Sequence, residues 1–367
     1  MTTRGEIASI ITRSESLPEG PLQVQLLEEG VRLADEMCDM ELQILTRQWL
    51  ISACFAGGEP DKLLVAFSWC VAKCDEHESL FDMELLLWHC KHVLGYPTML
   101  PQISREQIEQ ITTDVLERYR RHGASPRGPY TLIMSSRFSM GDSEEGKRYH
   151  DLWQDAPRDW WTEPEDWELF FEVDYLYELE EIDRAFQLAQ PMFKIGERGE
   201  IYPWLVDLFV YEMIRRGDLK RVANWHRRVM RAFADNPKHM GKMARQIHVL
   251  TLTGNFTRAL SLLERCFPWR MKSRTPGADF FHDLQAWCAM RLILQQGEET
   301  LSLRLPDEFE LYRENGHYDT QDLATWFETS VRHWESQFNA RNGNAYFTEI
   351  VDDSLTMQEF AGEYRIG

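Results

Sequence analysis

The sequence predicts an all-α protein, an α-solenoid of stacked antiparallel helical hairpins closed by a C-terminal capping helix, and three observations carry that expectation. Chain-reversal signals recur at Gly20, Gly58, Gly95, Gly141, Glu181, Gly217, Gly254 and Gly297, at successive spacings of 38, 37, 46, 40, 36, 37 and 43 residues. The flanking segments carry apolar residues at three-to-four spacing, the period of a helix with one buried face. A chain of 367 residues, 43% of them hydrophobic, is long for one globule but suits an array whose units bury their faces against neighbours.

The elements follow in order. Pro21 stands where the first turn of a helix tolerates proline, and Ser104-Arg105-Glu106-Gln107 has capping-box form. Tyr130 to Phe138 and then Ser143 to Trp153 make one hairpin, stopping before Ala156-Pro157; Phe170 to Leu179 and then Asp183 to Phe193 make the next. Trp204 to Ile214 is a first helix and Gly217-Asp218 its turn, with Leu219, Val222, Val229, Met230 and Phe233 the buried stripe of a second helix before Asn236-Pro237. The stretch LTGNFTRALSLLERC repeats the turn and second helix, ending two residues before Pro268. Asp307 to Asp319 is polar and turn-rich. Leu323, Trp326, Phe327, Val331, Trp334 and Phe338 then mark a longer amphipathic helix ending at Asn342-Gly343-Asn344, expected to cap the apolar end of the array. The division expected is an array over 1–306 and a cap with tail over 307–367. For the tail after Tyr346-Phe347 and Ile350-Val351, a short strand, a docking peptide and disorder all stay open.

A small residue early in the second helix recurs as Ala259 after Gly254, Ala185 after Glu181 and Gly146 after Gly141, and an aromatic follows the turn as Phe256. On these residues the stretch 20–305 resembles degenerate tetratricopeptide-repeat (TPR-like) proteins of bacterial type, whose unit is about 34 residues. The first-helix glycine is largely missing and the periods are longer, which leaves a HEAT-like repeat of about 40–47 residues as the structural alternative. The resemblance implies a right-handed solenoid whose concave wall is built from first helices, and with it a non-enzymatic scaffold or adaptor that holds a peptide or partner protein there. Aligning the turns on the repeat places His89, His92, Ser135, Asp174, Tyr177, Glu178, Tyr211, Arg215, His248 and Arg291 on the wall. The alternative is a regulatory or sensor subunit whose array binds a signalling peptide or small ligand.

Charge is unevenly spread. The formal net charge of −20 argues against general affinity for nucleic acid or anionic membrane. Asp159 to Asp183 holds eleven acidic residues and no Lys or Arg, whereas Arg215 to Arg245 holds ten basic residues against Asp218 and Asp235. On the helix 219–233, Lys220, Arg221, Arg227, Arg228 and Arg231 fall opposite the apolar stripe and form a basic face. Either this face is a solvated exterior balanced by the acidic segment, or it takes an acidic peptide, an acidic partner surface or a nucleic-acid backbone, the last disfavoured because Trp225 alone does not supply the interleaved aromatics such binding uses.

Catalytic signals are missing: there is no G-x-S-x-G elbow, G-x4-G-K-[ST] loop, H-E-x-x-H or G-x-G-x-x-G, so neither enzyme activity nor a cofactor is expected. Cys70, Cys74, His89, Cys90 and His92 come nearest to a metal set, but Cys70 lies among Ala66, Phe67, Trp69 and Val71 and tight C-x2-C spacing is absent, so core packing and no metal are expected. The odd count of seven cysteines argues against a disulfide framework. Without a basic-then-apolar start or an uncharged run of about 18 residues, the chain reads as cytoplasmic, with no membrane span. Trp160, Trp161 and Trp167 are either core fillers or partner anchors.

Overall fold

The computed structural model describes residues 3–195, 201–234 and 236–366; Asp235, counted above with the basic segment, and Gly367 lie outside them. Among the described residues the chain is all-α apart from one small hairpin. In order come α1 (Arg4–Glu15), α2 (Pro21–Met37), α3 (Met40–Gly57), α4 (Pro60–His77), α5 (Met83–Val93), α6 (Arg105–Arg121), α7 (Arg127–Phe138), α8 (Ser143–Asp155), α9 (Glu165–Glu178), α10 (Ile182–Leu188), α11 (Gln190–Ile195), α12 (Tyr202–Arg215), α13 (Leu219–Phe233), α14 (Met240–Leu252), α15 (Phe256–Lys272) and α16 (Pro276–Gln295). Strands β1 (Thr300–Ser302) and β2 (His317–Asp319) pair antiparallel, Leu301 opposite Tyr318, before α17 (Thr320–Asn342) and α18 (Tyr346–Thr356).

The turns explain why helices reverse where they do. Gly58, Glu180, Gly217 and Gly254 are left-handed at φ 73°, 60°, 71° and 73°. At each, the N–H of the following residue reaches back to a carbonyl five residues earlier: Glu59 to Cys54 at 3.0 Å, Glu181 to Leu176 at 2.9 Å, Asp218 to Met213 at 2.9 Å and Asn255 to Leu250 at 2.7 Å. This closes the orphan carbonyls of the outgoing helix and fixes the direction of the next. Five residues after each left-handed position stands a buried side chain, namely Leu63, Ala185, Val222 and Ala259, so one turn geometry always sends the second helix back with the same face inward.

Several expectations shift in detail. At the fifth reversal it is Glu180, not Glu181, that takes the left-handed conformation. Gly95 has no positive φ; the chain there turns through a 3-10 segment at Pro97–Met99. Gly20 separates α1 from α2 as an N-cap, and Gly297 leads into the β-hairpin rather than a second helix. α15 does not stop before Pro268 but runs through it to Lys272. A proline inside a helix forfeits one backbone bond, and here the buried stripe of Ala259, Leu262, Leu263, Cys266 and Phe267 holds the helix in place up to that point. Ser104 and Gln107 do form the capping box, at 3.2 and 2.9 Å.

Packing divides the chain into two compact units, one of Met1–Arg137, Ser143–Thr162 and Asn236–Lys238, the other of Phe138–Asp142, Glu163–Asp235 and His239–Gly367. The boundary expected at 306 thus falls inside the second unit. In the first, α2, α3 and α4 pack in sequence, while α3 also touches α1 and α5. In the second, α12 packs on α13, α14 on α15, and α14 also touches α12 and α16. The cap expected at the C-terminus is α17, laid along α16, with Leu323, Phe327, Val331 and Phe338 buried and Gly343 (φ 71°) ending it. The tail resolves as helix α18, a 3-10 turn and an extended end. Among the described residues no helix is long and apolar enough to cross a membrane. All seven cysteines are free, and burial lifts the thiols of Cys54, Cys70, Cys90, Cys266 and Cys288 to about 12.

Candidate functional site

Seven of the ten expected wall residues fall in the second unit, and six of them come from consecutive first helices: Asp174, Tyr177 and Glu178 from α9, Tyr211 and Arg215 from α12, and His248 from α14. On each helix they recur at three or four residues, so they share a face. The same faces bring residues that sequence reasoning missed. Asp207, one turn before Tyr211, is buried and takes Lys242 Nζ at 3.1 Å and Arg245 Nη1 at 3.3 Å; Arg245 also donates to the Asp207 carbonyl at 2.9 Å. A carboxylate buried this deeply needs such partners. Asp207, Tyr211 and Arg215 lie at i, i+4 and i+8 within a helix whose only other charged residue is Glu212, and that polar stripe was the available signal.

His248 lies 2.9 Å by Nδ1 from both Tyr211 Oη and Gln285 Oε1 of α16, and the Tyr211 hydroxyl donates to the same Gln285 oxygen. Burial first, then the nearby Arg245 charge, brings its pKa down to about 4 despite the Gln285 bond, so the imidazole is neutral. Burial raises the Asp174 carboxyl to about 6 against the pull of Lys242. Burial, with Asp174 beside it, raises Glu178 to about 8. These residues therefore form a polar, partly desolvated seam, with Asp207, His248 and Gln285 buried and Asp174, Tyr177, Glu178, Tyr211 and Arg215 half-buried.

That seam is covered. Tyr346 of α18 stands against Gly141, where an added Cβ would meet its Cβ at 2.5 Å, and Asn344 Nδ2 donates to the Met140 carbonyl at 2.8 Å. Further along, Asp353 pairs with Arg215 at 2.7 Å and the Ser354 carbonyl accepts from Cys288 Sγ at 3.7 Å. The end of the chain then runs alongside the α14–α15 turn in the same direction: Gly362 N–H to the Leu252 carbonyl at 2.8 Å, Tyr364 N–H to that of Thr253 at 3.1 Å, and Asn255 Nδ2 to the Tyr364 carbonyl at 2.8 Å. Segment 344–366 thus passes Met140, Arg215, Cys288 and Leu252 in turn. The protein's own C-terminal segment thus lies beside α12, α14 and α16, where an open binding face was expected.

The remaining wall residues sit elsewhere. Arg291 is exposed on α16, 5.7 Å from the Trp287 ring centroid. In the first unit His89 is buried with Nε2 2.9 Å from Ser52 Oγ, and burial lowers it to about 3. His92 lies between Phe55 and Trp88, ring centroids 4.6 and 4.1 Å away, and Ser135 is half-buried on α7. Cys70, Cys74 and Cys90 pack in the core of the same unit, and among the described residues no His, Cys, Asp and Glu group gathers as a metal set.

The basic face of α13 exists with one exception. Lys220, Arg221, Arg227 and Arg231 are exposed opposite the buried Val222, Val229 and Phe233. Arg228 is half-buried, its guanidinium 4.9 Å from the Tyr202 ring centroid, so it belongs to the packing rather than to the face. Arg221 pairs with Asp218 at 3.0 Å, and Arg216, just outside the set, pairs with Asp183 at 2.7 Å. The acidic run serves several ends: Glu165, Asp166 and Glu168 occupy the first turn of α9, where the helix dipole favours them, while Asp174 and Glu178 join the seam. Trp167 packs on Phe170 and Trp204, whereas Trp160 is 80% exposed.

Comparison with known protein families, with curated proteins and with solved structures found no match to this chain.

Proposed function

We propose that the protein is a non-enzymatic interaction scaffold whose first helices hold a polypeptide segment of a partner protein. The observation that carries this is the polar seam of α9, α12, α14 and α16, beside which the chain's own segment 344–366 already docks, through the Asp353–Arg215 ion pair, a Tyr346 contact at the Gly141 turn and main-chain hydrogen bonds to the end of α14. Main-chain bonds hold a peptide regardless of sequence, and the pairs at Arg215 and around Tyr346 select among sequences. Within this reading the hairpins stack as a TPR-like, right-handed α-solenoid. The packing of first helix on first helix, α12 on α14 on α16 and α1 on α3 on α5, supports that stacking, as does the repeated turn geometry. A partner segment would compete with the intramolecular one.

The test is capture from native extract by the full chain, by Asp353→Arg, which sets two positive charges against each other at Arg215, and by the triple variant Asp353→Arg with Tyr177→Ala and Arg245→Ala added to disable the wall. The proposal expects a partner enriched by Asp353→Arg and lost when the wall is altered. A partner retained equally by all three, or a small molecule retained in place of any protein, would sink it.

A further inference from the structure

The first unit carries a pocket of about 830 Å3 that shares no residue with the polypeptide-holding seam. One side of it is a face of α6, where Leu116, Glu117 and Arg120 stand within a turn of one another; the other sides are the α6–α7 turn, Tyr130 of α7 and the loop through Pro157 and Asp159. We propose that this pocket binds a free amino acid with an aromatic side chain. Its size lies in the range of small-ligand sites, about 300–1,000 Å3. The two loops that close it are pinned to each other. Ser125 donates through Oγ to the Pro157 carbonyl at 2.5 Å and through its N–H to Asp159 Oδ2 at 2.5 Å, while Asp159 Oδ1 accepts from the Trp161 N–H at 3.0 Å. Walls ordered in advance lower the cost of organising a site around its ligand.

The charges of the lining select the head of the ligand. Both oxygens of Asp159 are taken by the loops, which leaves Glu117 and Arg120 as the ionic groups of the pocket. These two pair with each other only at 3.8 Å, beyond the roughly 2.7–2.9 Å of a charge-assisted hydrogen bond. An exposed pair of this kind contributes little and opens at little cost. A carboxylate and a guanidinium side by side match a ligand that carries an ammonium and a carboxylate on one carbon: the ammonium donates to Glu117, and the ligand's carboxylate takes the planar fork of Arg120. A ligand with a single charge leaves one of the two unmatched, and an anion without an ammonium meets Glu117 as a like charge. The rest of the lining selects the side chain. Leu116, Ala124, Pro126 and Pro157 are apolar, and Tyr130 presents a half-buried ring, itself packed on Tyr149 with centroids 5.8 Å apart. An aromatic side chain gains there both from the apolar area it buries and from ring contact with Tyr130.

The experiment titrates the full chain by calorimetry with L-phenylalanine and L-tyrosine, and then with the amide and the N-acetyl form of the one that binds. Saturable one-to-one binding of at least one amino acid is expected. The amide, which lacks the carboxylate, and the N-acetyl form, which lacks the ammonium, should each bind about tenfold or more weakly, and glycine, which lacks the side chain, should show no saturation. Arg120→Gln should bind the amino acid about tenfold more weakly and no longer distinguish it from its amide; Glu117→Gln should lose the same amount and no longer distinguish it from its N-acetyl form. Asp114→Asn, on the same helix but outside the lining, should stay within about twofold of the unaltered chain. All three side chains replaced are exposed, and circular dichroism checks that the variants fold. No saturable binding of either amino acid, equal binding of the amide and the N-acetyl form to that of the parent, or an equal loss in Asp114→Asn overturns the proposal.

Discussion

Glu178 is the residue at which burial and charge are most at odds. Its carboxyl is lifted to about 8 by desolvation and by Asp174, itself lifted to about 6. Both folded-state values lie above the usual carboxylate range, so between about pH 4.5 and 8 the folded chain holds protons that the unfolded chain has released. Stability therefore falls as pH rises through that window. We expect the melting temperature to be lower at pH 8.5 than at pH 6 by about 2–4 °C for each kcal/mol of this linkage, and Glu178→Gln to flatten the dependence; calorimetry on the two proteins checks it. An unchanged slope in Glu178→Gln would place the proton uptake elsewhere. The identities of these seam residues were legible, because Asp174, Tyr177 and Glu178 share a helix face. Their burial was not: nothing local in a sequence tells whether a polar stripe meets water or a distant segment such as α18.

Among the elements, the turns and α18 divide the work of holding the second unit together. Gly141 and Gly217 have nearly the same backbone, φ 73° and 71°, but a Cβ at Gly217 would meet nothing within 4 Å while one at Gly141 would run into Tyr346. Gly217→Ala should then cost only the left-handed strain, about 1–2 kcal/mol. Gly141→Ala should cost more and, in addition, free α18, which limited proteolysis within 344–366 would reveal. Equal protease resistance in the two variants would mean that Tyr346 does not anchor the segment. At Ala259, buried five residues past its turn, Ala259→Leu should cost about 1–3 kcal/mol by overpacking, read as a shift in the urea midpoint. The hairpins themselves could be read from Gly217-Asp218 and Gly254-Asn255, because the turn chemistry is local. The third reversal could not: Gly95 marked the region but not the conformation, since Pro97 turns the chain by a different route. The β-hairpin after Gly297 escaped for a related reason, as its strands are three residues each, too short for an alternating pattern to register.

On the scale of the whole molecule, the all-α class followed from the helical period, while the docked C-terminus depends on contacts more than a hundred residues apart, such as Arg215 with Asp353 and Asn255 with Tyr364. No window of sequence carries those pairings. They are also what the account of function rests on, because a wall that holds its own segment should accept that segment supplied from outside. The direct measurement is fluorescence anisotropy of a labelled peptide with the sequence of residues 344–366, added to the full chain carrying Asp353→Arg. The account predicts saturable binding to that variant, little binding to the unaltered chain whose wall is occupied, and loss of binding when Arg215→Glu removes the partner of the peptide's aspartate. Equal binding to the unaltered and Asp353→Arg chains, or none to either, would contradict it.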